Sequence, residues 1–309
     1  MLHQTLSKGW CRDGSGLLPR LIVRARRRLV EAQSHFKVSE NRSSCPAQRF
    51  GGHHSGYPRP VASLSQRARL LALCLFSSAL LLPESLFSKP TQGRRIRALE
   101  PELRALQHAF ARELAEPAAV YHVLDTTLIP AIVRVRASRK GLFCGQATFG
   151  RSASKTEWIY GFKMVLTVSP EGVITAFGVA EAASDERPIG DWIIRQDRHN
   201  TYLADKGFSS VSWERHWVEN YGALVIATPK DNSKRAWSQS DRRWAAGKRQ
   251  IIEGVVDQLK DIFALERHRA KTLGGLLARL AAKVAAYTCG QRLNVQLGRS
   301  LRQLADLLV

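Results

Sequence analysis

Residues Trp158–Val168 (WIYGFKMVLTV), Ser169-Pro170-Glu171-Gly172 and Val173–Ala180 (VITAFGVA) decide how this chain is read. Two apolar, β-branched-rich runs flank a four-residue segment of turn formers, which is the signature of a β-hairpin. Working outward, Val120–Leu124 (VYHVL) is a short apolar run that ends at Asp125. After the hairpin, a helix is expected over Asp185–Gln196 with Ser184 as N-cap. A short strand, Thr201–Ala204, then ends at Asp205. A helix over Ser209–Asn220 should stop at Gly222, and Ala223–Thr228 (ALVIAT) reads as another strand. From about Ser240 the chain reads as helical to its end, with breaks at Gly274-Gly275 and Gly290. Upstream, Leu99, Leu103, Leu106, Phe110 and Leu114 recur at helical steps, and Pro117 ends that pattern. Strands first, then alternating strands and helices, then helices alone, predict a mixed α/β layer fold with a helical C-terminal portion.

The chain has 309 residues, with 47 Lys and Arg against 26 Asp and Glu, a formal net charge of +21. Such a balance favours a polyanionic partner, most simply nucleic acid. Residues 1–100 carry 17 basic and 5 acidic side chains, and residues 101–309 carry 30 and 21, so the net +21 divides into +12 and +9. Residues 1–65, with the Arg24–Arg28 cluster and Gly- and Pro-rich stretches, are expected to be a basic, disordered segment, with an optional helix around Leu17–Gln33. Residues 66–117 are expected to form a helical segment. Within it Leu70–Leu82 is nearly all apolar, but its 13 residues fall short of the roughly 20 needed to span a bilayer, so no membrane association is expected. The cysteines (Cys11, Cys45, Cys74, Cys144 and Cys289) are odd in number, dispersed and without a C-x-x-C pair. That pattern argues against a disulfide scaffold or zinc ribbon and points to a reducing cytoplasm. Cys45 with His53 and His54 lacks a fourth ligand at finger spacing.

Asp125 and Asp205 each follow a predicted strand, a position that holds a carboxylate rigidly at a sheet edge, where it suits a metal ligand. Aspartate is also common wherever a strand turns into a loop. A third acid sits on a predicted helix: at about 100° per residue, Arg249, Glu253 and Lys260 fall at about 0°, 40° and 20°, beside an apolar stripe of Ile252, Val256, Leu259 and Phe263. Ordinary i,i+4 pairing accounts for Arg249 with Glu253 alone. Asp257, one turn on, competes with Glu253, and Asp185 is a candidate accessory acid or helix cap.

Residues 118–270 resemble the catalytic domain of DDE transposases of bacterial insertion sequences, of the insertion-sequence-four type. The resemblance rests on Asp125-Thr126-Thr127, on Trp158-Ile159-Tyr160-Gly161-Phe162-Lys163, on Asp205-Lys206-Gly207-Phe208, and on Arg249-x3-Glu253-x6-Lys260. The family's last signature begins with a Tyr, and Ala246 stands at that position here. The resemblance implies an RNase H-like mixed five-stranded sheet flanked by helices. It implies that Asp125, Asp205 and Glu253 bind two Mg²⁺ ions, with Mn²⁺ as an alternative. Water would cleave the transposon end, and the freed 3′-hydroxyl would attack target DNA. Arg249 and Lys260 would hold phosphates, joined by Lys206 and Arg242. Trp237 or Trp244 would stack on a displaced base or simply pack. Arg134, Arg136, Arg139 and Lys140 would track the DNA backbone or form a solvated loop. The implied partners are double-stranded DNA, as terminal inverted repeats and as target, and a second copy of the chain on that DNA, in the bacterial nucleoid. Residues 66–117 would be the remnant of a DNA-binding domain, and residues 271–309 C-terminal helices. Two other functions stay open: an inactive DNA-binding remnant, suggested by an N-terminal stretch that a shifted frame or wrong start would also produce, and another two-metal nuclease such as a resolvase.

Overall fold

The computed structural model describes residue 94 and residues 97–307, apart from 117, 133–140, 153–156 and 231–236. The expectations for 1–65, for the apolar run Leu70–Leu82, for Arg134, Arg136, Arg139 and Lys140, and for the Cys45–His54 group lie outside the described residues.

The chain order is α1 (Glu100–Leu114), β1 (His122–Ile132), β2 (Thr148–Ser152), β3 (Glu157–Val168), β4 (Ile174–Glu181), α2 (Glu186–Asp197), β5 (Thr201–Ala204), a 3-10 turn (Lys206–Phe208), α3 (Val211–Tyr221), β6 (Leu224–Ala227), α4 (Gln239–Asp261) and α5 (Leu273–Gln296). The six strands form one mixed sheet in the order β2-β3-β1-β5-β6, with β4 also pairing β3. β3 pairs antiparallel with β1, β2 and β4, whereas β5 runs parallel to both β1 and β6.

The β3–β4 hairpin forms as its sequence predicts. The Gly172 N–H donates to the Ser169 carbonyl, and Gly172 takes φ +91, which glycine adopts without steric cost. β2 was not evident from the sequence: five residues, Thr148–Ser152, lie along the first part of β3. α2 is capped by Asp185 rather than Ser184: the Asp185 side chain accepts from the Arg187 N–H and forms an ion pair with Arg187. Gly222 closes α3 at φ +64, its N–H donating to the Trp217 and Val218 carbonyls. The expected break at Gly274-Gly275 lies instead at 262–272. Thr272 caps α5 by accepting from the Gly275 N–H, and Gly290 lies inside the helix.

Strand alternation sorts the core onto two faces. Leu124, Val165 and Ala176 join Ile189, Ile193, Tyr202, Phe208 and Trp217 in the cluster under α2 and α3. Val123, Met164 and Leu166, all fully buried, point to the other face, over which α4 lies against β1, β3 and β5. α4 buries Ala245, Ile252, Val255 and Leu259, so Val255 rather than Val256 belongs to the packed stripe. α1 buries Leu103, Leu106, Gln107, Phe110 and Ala111, packs mainly on α5, and ties to the sheet through Gln107 Nε2, which donates to the Ile174 carbonyl at 2.6 Å. No helix among the described residues is long and apolar enough to cross a membrane.

Candidate active site

Asp125 does not end its strand, as the sequence suggested. It is the fourth of the eleven residues of β1. The expectation fails because β1 has two neighbours of different length: it pairs with β5 only through His122, Val123 and Leu124, then continues against β3 to Ile132. On the β5 side Asp125 is therefore the first residue beyond the parallel ladder. Asp205 is likewise the first residue beyond β5, since Leu124 and Ala204 are register partners. The two aspartates leave one rim of the sheet side by side.

Arg249 of α4 joins them. Its Nη2 donates to Asp125 Oδ2 and its Nη1 to Asp205 Oδ1, both at 2.9 Å. The planar guanidinium fork suits such double contact. The Arg249 side chain is 15% exposed, and those of Asp125 and Asp205 are 21% and 40%. Burial pushes the Asp125 carboxyl up to about 6, although Arg249 and the hydrogen bond from the Thr126 N–H pull it down. Burial alone would lower Arg249, but the charges of Asp125 and Asp205 outweigh it and hold the guanidinium above its ordinary value, with Glu253 adding to them. Arg249 Nε is buried and finds no hydrogen-bond partner among the described residues.

The remaining expected residues are more scattered. Glu253 is exposed on α4, one turn from Arg249 and near enough to act on its charge. Among the described residues no three His, Cys, Asp or Glu side chains converge on a metal position. Asp257 is also exposed, one further turn along. Lys260 lies about 16 Å along the helix from Arg249, at ~1.5 Å per residue, and pairs with Glu266 at 3.3 Å. Arg242 and Trp244 are half-buried in the first turns of α4, Trp237 is half-buried just before it, and Ala246 is exposed. Lys206 is exposed and opens the 3-10 turn after Asp205. Asp185 caps α2 and faces Arg187.

One residue of this region gave no sequence signal. Glu186, at the start of α2, accepts from Thr126 Oγ1 at 3.0 Å, lies 3.5 Å from Lys163 Nζ, and packs against Gly207. The glycine of Asp205-Lys206-Gly207 and the lysine that ends Tyr160-Gly161-Phe162-Lys163 were the only hints that something polar would fit between them.

The donor chemistry fits a hard divalent cation. Two carboxylates already converge on one positive group, and Mg²⁺ is commonly held by one or two carboxylates, the rest of its shell being water and phosphate oxygens. A family model described as the transposase DDE domain matches residues 116–273. No curated protein and no solved structure matches the chain. More than half of the chain lies in that family match, and Asp125, Asp205 and Glu253 lie inside it, so the chain belongs to the transposase DDE-domain family.

Proposed function

We propose that this chain is the transposase of a bacterial insertion sequence, of the insertion-sequence-four type, which cleaves DNA at the element's ends and joins the freed 3′-hydroxyl to target DNA. Its family makes it a transposase-type nuclease with DNA as substrate. The observation that carries the reading is the pairing of Asp125 and Asp205 on one rim around a single cation. The sheet path β4-β3-β1-β5-β6, flanked by helices, supports an RNase H-like fold, and residues 118–270 are its proposed extent.

Asp125 and Asp205 are the proposed metal ligands, with Glu253 brought in from α4 as the third. Two bound Mg²⁺ ions, or Mn²⁺, would supply activation of the attacking oxygen and stabilisation of the leaving one. The Thr126 N–H orients the Asp125 carboxylate. Arg249, once released from the aspartates, holds a phosphate by its fork. Lys206 and Arg242 meet the DNA backbone on either side, Lys260 meets it farther along α4, and Trp237 or Trp244 offers a stacking surface. A dimer assembled on two DNA ends, in the nucleoid, follows from the need to join both ends to one target.

The exposed position of Glu253 favours a second reading, an inactive copy that only binds DNA. One experiment separates the two. Mg²⁺-dependent nicking and strand transfer are measured on DNA carrying the sequences that flank the gene, with Asp125→Ala, Asp205→Ala, Glu253→Ala and Asp257→Ala. The proposal expects the first three to abolish cleavage and the fourth to retain it. Cleavage that survives Asp125→Ala and Asp205→Ala overturns it, and DNA binding without wild-type cleavage selects the second reading.

A further inference from the structure

Gly207 is not selected by its backbone, because its φ is not left-handed. Its neighbour matters instead: a Cβ at position 207 would fall on Oε2 of Glu186 and push that carboxylate, the end of a flexible side chain, out of its present contacts. The other carboxylate oxygen of Glu186 accepts from Thr126 Oγ1 at 3.0 Å and lies 3.5 Å from Lys163 Nζ. Lys163 also donates to the Ser184 carbonyl at 2.9 Å, which braces the approach to α2. Thr126 in turn points its N–H at Asp125 Oδ1, 2.7 Å away. One carboxylate therefore touches the residue after Asp125, the turn after Asp205, and the lysine of the hairpin. An acid in the first turn of a helix is favoured by the helix dipole. That preference explains neither the missing Cβ at 207 nor the convergence of three separate segments on one side chain.

We infer that Glu186 is a positioning residue of the active site, acting through Thr126 and Gly207 to fix the separation of Asp125 and Asp205. The inference rests on the proposed reading of those two aspartates as metal ligands. Lys163 balances the Glu186 charge, so the aspartates are not set against a third uncompensated anion. The contacts also account for Thr126, Lys163 and Gly207 together, three residues in three different motif segments that meet only here.

The test is Mn²⁺ binding to the full chain by calorimetry, with thermal melting in EDTA alongside. Groups bonded directly to a metal ligand typically contribute about 10-fold or more in affinity, and Glu186 acts one residue further out through Thr126, so Glu186→Ala and Gly207→Ala should each weaken Mn²⁺ binding by up to about 10-fold. The double variant should be no weaker than Glu186→Ala, because removing the carboxylate leaves room for the Cβ at 207. Glu186→Gln, which keeps the shape and the acceptor for Thr126, should recover most of the affinity. Thr126→Val removes one contact without changing volume and should fall between wild type and Glu186→Ala, which keeps the test decisive if Glu186→Ala melts below the assay temperature. A purely structural role would lower the melting temperature of these variants and leave their Mn²⁺ affinity unchanged. That result, or additive losses in the double variant, overturns the inference while Asp125→Ala still abolishes binding. Wild-type protein that binds no Mn²⁺ overturns the reading of the aspartates, and this inference with it.

Discussion

Replacing Asp125 by Asn should stabilise the metal-free protein at neutral pH while abolishing its proposed chemistry. Burial holds the Asp125 carboxyl at about 6 against an ordinary 3.8, despite the opposing pull of Arg249. That gap corresponds to about 3 kcal/mol for ionising the group in the folded protein. The folded state holds this proton more tightly than the unfolded chain does. The resulting stability is therefore complete below pH 3.8 and is lost as pH rises through about 6. Asn has no proton to lose, so the variant should match wild type near pH 4 and exceed it above pH 7. The value of about 6 already includes the pull of Arg249, so nearly the whole gap should appear above pH 7, about 2–3 kcal/mol, or roughly 4–10 °C in melting temperature for a domain of this size. Urea denaturation of both proteins from pH 4.5 to 8 in EDTA measures the difference. Adding Mg²⁺ should reverse the order above pH 7, since only wild type gains binding free energy. A stability difference that does not change with pH, or a variant that loses ground above pH 6, would refute the assignment of a buried, proton-retaining carboxyl at this rim.

Arg249→Gln should cost the metal-free protein about 1–2 kcal/mol at pH 7, because Asp125 takes up a proton when its cation is removed and Asp205 is partly solvated, and Mg²⁺ should restore part of the loss in a thermal melt. Gly161→Ala would place a Cβ on the Ile129 carbonyl oxygen, and β1 backbone cannot yield as a flexible side chain would. A loss of more than about 3 kcal/mol, or failure to accumulate folded protein, is expected by circular dichroism. Asp197 is buried beside His122, whose Nδ1 lies 2.6 Å from its carboxylate. Burial raises its pKa, but the hydrogen bond and charge of His122 outweigh that and hold it below the ordinary value. Its contribution is present above the unfolded value and lost as pH falls through the folded one, so Asp197→Asn should lose about 3 kcal/mol at pH 7, and that loss should shrink as pH falls below the ordinary carboxylate value, measured by urea denaturation.

What the sequence revealed was local. The β3–β4 hairpin was legible because its turn residues and β-branched runs are adjacent, and Gly222 was legible as a stop because glycine takes the left-handed cap conformation without steric cost, whereas the left-handed cap of α2 falls on Arg198, which no sequence rule marks. Asp125 stands out in the sequence as a candidate site residue, but its place inside a long strand does not. The second half of β1 contains Pro130 and pairs with β3 alone, so no local pattern announces it as strand. β2 was missed because five residues beside one partner carry too little alternation to stand out. Two adjacent glycines suggested a break at 274, yet they fall inside the first turn of α5, where Thr272 supplies a cap. Glu186 went unnoticed for a different reason: an acid at a helix start is ordinary in sequence, and its contacts come from segments 60 residues before it and 21 after.

Arg249 carries a consequence for the order of events at the site. Two carboxylates on a partly buried rim repel each other and need a cation between them. In the structure α4 supplies that cation from within the chain, so the repulsion at the rim is relieved without metal. On the proposed reading a divalent ion must compete with the guanidinium for the same oxygens. Once displaced, the guanidinium would keep the charge of Glu253 nearby but lose both aspartates, and the phosphate of the DNA is an anion that would replace them. Ion and DNA then each remove an obstacle to the other, and by linkage the coupling is reciprocal: DNA should tighten Mn²⁺ binding by the factor by which Mn²⁺ tightens DNA binding. Glu253 stands one turn along the same helix and acts on the same charge. On the proposed reading, a shift of α4 that moved Arg249 off the aspartates would also carry the third carboxylate, because both side chains ride on one helix.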